Sequence, residues 1–286
     1  MAVTATLIVS TLQAGTPAVH AGTKATTSYY LALGDSLAAG FQPNMGGRLT
    51  TGYAGRVYRT FRQQIPGLSL KNLGCPGETT STMITGKHST CQYGAGSQLD
   101  AAVSFLQAHA GVVAFITIDM GANDFIVRCL DGRTGLWDRA CAIDERPRLK
   151  TRLANILDAL ATAAPGVPIV GMKYYDPFLG LWGRIPGGYK LAHADHRVMN
   201  VLNAALESVY RDAGVKVADA AATFKSDDFT DTVVVQGRGR LPLNVANACR
   251  WTWFCTQRYF FDPHPNWKGY LKIARTFDRR LRALLP

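Results

Sequence analysis

From residue 29 to the C-terminus, short apolar runs alternate with longer amphipathic segments, and this alternation restricts the fold more than any other feature. The runs 29–33, 68–73, 112–118, 167–172 and 215–218 have the length and the bounding Gly, Pro and Asp residues of buried strands. Residues 53–64, 99–109, 148–164, 193–213 and 267–285 instead repeat apolar positions at helical spacing. Strands regularly separated by helices join by crossovers, which gives a parallel sheet covered on both faces. The expectation is therefore an α/β fold, a three-layer α/β/α sandwich around a mainly parallel five-stranded sheet. Two long stretches, 128–147 and 225–262, break the pattern and are expected to be irregular loops, of a length that often serves as lid or pocket wall. No repeat or low-complexity linker divides the chain, so residues 22–286 read as a single domain.

Six cysteines bear on the compartment. Cys75 and Cys91, Cys129 and Cys141, and Cys249 and Cys255 each bracket one loop rich in Gly, Pro, Asp or Thr. An even count at such spacing favours disulfides in an exported protein. Sequence cannot choose among the connectivities; sequential pairing is expected because each pair closes one loop. The rival is zinc, but neither Cys-x-x-Cys nor a Cys/His cluster has tetrahedral-site spacing, so no metal or other cofactor is expected.

Residues 1–21 read as a signal-peptide remnant or a disordered tail. An apolar run at 5–12 precedes Gly15, Pro17 and the small-residue pattern Val19-His20-Ala21, which suits a secretory cleavage site, although the usual basic start is missing. The run is too short to span a bilayer, and no other stretch qualifies as transmembrane. The formal net charge of +11 is dispersed, apart from Arg238-Gly239-Arg240 and Arg279-Arg280-Leu281-Arg282. Without a recognition module, such charge does not indicate nucleic acid. An anionic substrate or contact with a lipid interface fits it better, and a secreted monomer is expected.

Chemistry-bearing residues gather where strands end, and open parallel sheets bind ligands at those carboxyl ends. Asp35-Ser36 follows the first strand at Gly34, placing a serine on a sharp turn before small residues. Gly74-Cys75-Pro76-Gly77-Glu78-Thr79-Thr80 follows the second, and Asp119-Met120-Gly121-Ala122-Asn123-Asp124 the third. Asp262-Pro263-His264-Pro265-Asn266 stands before the last helix. A serine hydrolase needs a nucleophile, oxyanion donors and a base, and these clusters hold all three types. The Gly-x-Ser-x-Gly elbow of α/β-hydrolases is absent, since Ala38 stands two residues after Ser36.

Gly34-Asp35-Ser36-Leu37, then Asn72-Leu73-Gly74 through Gly77, then Gly121-Ala122-Asn123-Asp124, then His264-Pro265 resemble, in that order, the blocks of the GDSL or SGNH hydrolase family. The resemblance runs from about residue 29 to the C-terminus. With the six cysteines and long loops it looks most like the family's secreted actinobacterial esterases and lipases. It implies a carboxylic ester hydrolase with Ser36 as nucleophile and His264 as general base. The implied oxyanion hole is the Ser36 N–H, the Gly77 N–H and the Asn123 side-chain amide. Asp35 and Asp124 read instead as supporting residues, Asp35 as a structural group that bonds the backbone amides of the turn. The family's aspartate three residues before the histidine is replaced by Phe261, with Asp262 one residue later. Either the Phe261 carbonyl orients the ring in a Ser-His dyad, the favoured alternative, or Asp262 does so in a triad. The apolar loops favour an acyl ester. A phospholipase, a carbohydrate deacetylase or a non-catalytic lipid- or glycan-binding protein are the other readings.

Other segments have blander readings. His193-Ala194-Asp195-His196 reads as a solvated helix start, not a metal site, because helical spacing separates the side chains. Trp251, Trp253 and Phe254 suit an acyl pocket and packing under a stapled loop equally. Tyr174-Tyr175-Asp176-Pro177 is expected to wall the site.

Overall fold

Strands β1 (Ser28–Gly34), β2 (Leu68–Asn72), β3 (Val113–Asp119), β4 (Ile169–Lys173) and β5 (Lys216–Asp219) form one parallel sheet in the order β2-β1-β3-β4-β5 in a computed structural model of the protein. The structure describes residues 1–2, 27–43, 45, 52–131, 135–259 and 261–285. The expected leader or tail at 3–21 lies outside them. Helices alternate with the strands: α1 (Ser36–Ala39), α2 (Tyr53–Phe61), α3 (Thr80–Thr85), α4 (Gln98–Ala108), α5 (Ala122–Cys129), α6 (Arg139–Ala163), α7 (Gly188–Asp212), α8 (Ala220–Phe224), α9 (Leu243–Trp251) and α10 (Trp267–Leu281). α2, α8 and α10 pack together as one layer, and α4, α6 and α7 as another. The central strands are covered on both faces, so Tyr30 through Leu33 and Phe115, Ile116 and Ile118 are fully buried.

Two expectations about irregular stretches need correction. The segment 128–147 is not all loop, because α6 begins at Arg139 and runs through Pro147. Proline forgoes one helix bond and is costly inside a helix. Upstream, however, the Asp138 side chain caps the Cys141 N–H, and Glu145 is fully buried against Arg128, Arg148 and Arg152. These ties hold a helix on the N-terminal side of the proline. The segment 225–262 likewise contains α9 and an antiparallel hairpin, β6 (Thr232–Val235) with β7 (Gly239–Pro242). Both hairpin strands have four residues, too short for a periodicity to stand out.

The cysteines pair sequentially, Cys75–Cys91, Cys129–Cys141 and Cys249–Cys255. Among the described residues, no helix is long and apolar enough to cross a membrane. The segment 193–196 is no solvated helix start. α7 begins five residues earlier, at Gly188, so Asp195 and His196 face inward and are buried. His196 bonds Asp176 through Nδ1 (3.0 Å) and Asp227 through Nε2 (2.9 Å).

The strand order reverses direction between β1 and β3, the switch point where such sheets leave a crevice. The serine turn and the Gly121–Asp124 segment stand on its two sides.

Candidate active site

Asp35 organises the serine turn. Its side chain accepts the Leu37 N–H (2.8 Å), capping α1 and fixing Ser36 as the first helical residue. The Asn72 side chain ties the second cluster to this turn, donating to the Ala38 carbonyl (2.7 Å) and accepting the Gly74 N–H (2.9 Å).

The histidine arrives from the far end of the chain. Asp262-Pro263-His264 forms an Asx turn in which Asp262 Oδ1 accepts both the backbone N–H of His264 (2.9 Å) and a bond from its ring Nδ1 (2.9 Å). His264 Nε2 then lies 2.9 Å from Ser36 Oγ. The loop is held on several sides. Tyr175 Oη donates to the Pro263 carbonyl, Trp253 N–H to the His264 carbonyl, and Gln42 Nε2 to the Pro265 carbonyl. Phe41 packs on the imidazole at 4.4 Å between ring centroids.

The favoured dyad, with the Phe261 carbonyl at the ring, is corrected by this geometry: the group at Nδ1 is the Asp262 carboxylate. Phe261 adopts a left-handed φ of 55°, an unusual conformation for a bulky residue, and its ring packs on Phe254. The carboxylate thereby meets the ring from two positions before the histidine rather than three.

Gly77 and Asn123 border the same cleft as Ser36 and His264. Gly77 has a φ of 81°, which a side chain would strain, and a Cβ there would meet nothing closer than Thr90 at 4.0 Å. Asn123 donates from Nδ2 to the Glu78 carbonyl (2.9 Å), so the second and third clusters are linked at the rim. Asp124 reinforces the link. It accepts the Thr80 N–H (2.9 Å), the Thr80 hydroxyl (2.5 Å) and Arg152 Nη2 (3.0 Å), while burial pushes its carboxyl up.

The cleft measures about 360 Å³ and its walls are largely apolar: Phe41, Ile126, Trp137, Phe178 and Met199, with Tyr174 and Tyr175 at the expected near side. Trp137 and Phe178 meet edge to face at 5.2 Å. Sequence reading missed both walls, because they come from segments whose approach depends on tertiary folding. Trp251, Trp253 and Phe254 do not line this cleft. Phe254 is buried in a satellite core with Leu181 and Ala192, and Trp251 stacks edge-on against Phe224. A larger depression of about 650 Å³ sits at the opposite edge of the sheet, where β4 and β5 begin, and none of the predicted site residues borders it. Among the described residues no cluster of His, Cys, Asp and Glu suits a metal ion.

The family model of the GDSL-like lipase/acylhydrolase family matches residues 32–272, which include every predicted site residue. The chain belongs to this family. As a GDSL hydrolase it is a carboxylic ester hydrolase. Solved structures share its fold across nearly the whole chain. An extracellular lipase from Streptomyces rimosus matches with a TM-score of 0.55 at 19% identity, covering 90% of this chain and 100% of that one. A lipase from a goat rumen metagenome matches at 0.53 and 16%, covering 90% and 97%. A lipase/acylhydrolase from Enterococcus faecalis matches at 0.51 and 14%, covering 91% and 98%. No curated protein matches the sequence significantly.

Proposed function

We propose that this GDSL hydrolase is a secreted serine esterase or lipase acting on acyl esters through a Ser36–His264–Asp262 triad. One observation carries the reading: the two 2.9 Å contacts from Ser36 Oγ to His264 and from His264 to Asp262, at the wall of an apolar cleft. Ser36 Oγ attacks the ester carbonyl carbon as His264 Nε2 takes its proton. Asp262 holds the tautomer with the proton on Nδ1 and stabilises the imidazolium as it forms. The oxyanion is stabilised by the N–H groups of Ser36 and Gly77 and by Asn123 Nδ2, each such donor being worth about 3 kcal/mol. The imidazolium protonates the departing alkoxide, which leaves an acyl-enzyme. A water deprotonated by His264 attacks the acyl carbon, the bond from that carbon to Ser36 Oγ breaks, and the imidazolium returns its proton to Ser36 Oγ as the acid leaves.

The lining of Phe41, Ile126, Trp137, Phe178 and Met199 suits an acyl chain rather than a sugar, which favours esterase or lipase over carbohydrate deacetylase. Three disulfides support an oxidising, extracellular location. The test is hydrolysis of a p-nitrophenyl ester series. Wild type is expected to cleave it, and Ser36→Ala to lose at least about 10³-fold in kcat/KM. Equal activity in the two proteins would sink the mechanism.

A further inference from the structure

Under the serine turn lie two carboxyl groups that the proposed chemistry does not use together. In the sheet register Gly34 stands beside Asp119, so Asp35 and Asp119 leave adjacent strand ends into the same buried space, 2% and 0% exposed. Gly34 makes their approach feasible. A Cβ at that position would sit 2.3 Å from the Asp119 carbonyl and 2.5 Å from its Oδ1.

We propose that Asp119 is a positioning residue that shares one proton with Asp35, so that the pair beneath Ser36 carries a single negative charge, held on Asp35. Their hydrogen bonding supports this. Asp35 accepts the Leu37 N–H at Oδ1 and the Tyr174 hydroxyl at Oδ2 (each 2.8 Å). Asp119 accepts the Tyr53 hydroxyl at Oδ1 and a long contact from the Asp35 N–H at Oδ2 (3.3 Å). Every one of these donors is neutral. Among the described residues neither carboxyl forms an ion pair with Lys or Arg. Two adjacent buried carboxylates without a cation cannot both remain ionised, and a shared proton turns their repulsion into a hydrogen bond.

The surroundings also say which group keeps the charge. Burial pushes both carboxyls up. The negative charge of Asp35 pushes Asp119 further in the same direction. Asp35 is drawn back by the Asp119 hydrogen bond, the Leu37 N–H and the Tyr174 hydroxyl. The other titratable groups facing the pair are Tyr30 from β1, Tyr53 from α2 and Glu78 from the second cluster. Tyr174 and Tyr175 after β4, Tyr210 from α7 and Tyr270 from α10 complete the set. Only His264, which also faces Asp35, gains positive charge, which on the reading above it does in the transition state. The Asp35 charge would therefore favour the imidazolium while Asp119 holds its carboxyl in place.

The activity readout rests on the esterase reading; the spectroscopic one does not. Infrared difference spectra of wild type and Asp119→Asn at pH 7, with deuterium exchange, are expected to show that the variant loses the C=O band of a neutral carboxylic acid. Loss of a carboxylate band instead would overturn the proposal. With p-nitrophenyl esters, Asp119→Asn keeps an N–H donor and should retain kcat/KM within about fivefold. Asp119→Leu should lose about 10- to 100-fold, the worth of a hydrogen bond to a charged group, with the near-UV circular dichroism of the wild type. A folded Asp119→Leu variant with wild-type kcat/KM would overturn the positioning role, and if that variant does not fold, the infrared comparison on Asp119→Asn decides. A wild type inactive on every ester would undo the esterase reading and leave the infrared result standing.

Discussion

Two buried acidic clusters flank the rim of the sheet, and they are neutralised in different ways. Asp124 and Glu145 are met by arginines: Arg152 reaches both, and Arg128 and Arg148 close on Glu145. Asp35 and Asp119, beneath the serine, are met by tyrosine hydroxyls and backbone amides. The first cluster is an anchor. It ties α3, α5 and α6 together and so fixes the disulfide-closed segment that carries Trp137 to the cleft. Guanidinium groups suit that task because they hold two carboxylates in fixed geometry. Beneath a serine–histidine pair the same groups would be harmful, since a nearby cation opposes an imidazolium. Neutral donors fix the turn without that cost. Arginine is used where position alone matters, and neutral donors take its place where a proton must move.

Breaking the relay itself should have the largest effect. Asp262→Asn keeps the size of the side chain but cannot hold the same tautomer, so kcat on p-nitrophenyl esters should fall by about 10⁴-fold while the melting temperature stays close to that of wild type. A fall below tenfold would mean that the carboxylate at Nδ1 is dispensable.

Breaking the anchor should divide the effects the other way. Arg152→Ala leaves Asp124 and Glu145 short of a counter-charge in a buried place, and denaturant unfolding should report a loss of about 3 kcal/mol. Wild-type stability in this variant would show that the arginine cluster anchors nothing.

Trp137 connects the anchored segment to the cleft. Trp137→Ala should enlarge the acyl pocket and shift the preference between short and long p-nitrophenyl esters toward the longer chain by about tenfold, the size expected for a change in one hydrophobic pocket contact. An unchanged ratio would place the acyl chain elsewhere.

The smallest effect concerns a buried acid whose Oδ2 is left without a hydrogen bond among the described residues. Burial, aided by Asp176 and only partly opposed by Arg197, raises the Asp195 carboxyl to about 7. Its folded-state pKa lies above the unfolded value, so the folded state holds the proton more tightly between about pH 4 and 7. Its contribution to stability therefore falls as pH rises through that window. Asp195→Asn should raise the melting temperature at pH 8 and leave it nearly unchanged at pH 4. An equal shift at both pH values would remove titration as the cause.

Much of the fold was legible because the five central strands are short apolar runs and the helices between them show clear periodicity. What misled was local. The helix expected over 148–164 begins at Arg139 and runs through Pro147, because ion pairs around Glu145 hold helix on both sides of the proline. At the site, Ser36, Gly77, Asn123 and His264 were readable as strand-end and loop residues, and they border one cleft. The partner of the imidazole was readable only as a choice between the Phe261 carbonyl and Asp262, because it depends on the left-handed backbone at Phe261 and the Asx turn that follows. The Asp35–Asp119 pairing was hidden for a different reason. Asp119 stood in plain view after the third strand, but its neighbour is set by the register that puts it beside Gly34.

Covalent labelling tests the central claim most directly. The protein is incubated with a fluorophosphonate, and the adduct is located by tandem mass spectrometry. The account predicts one adduct, on Ser36, absent from Ser36→Ala and formed at least about 10²-fold more slowly in His264→Ala. No adduct on the wild type, or an adduct on another residue, would contradict it.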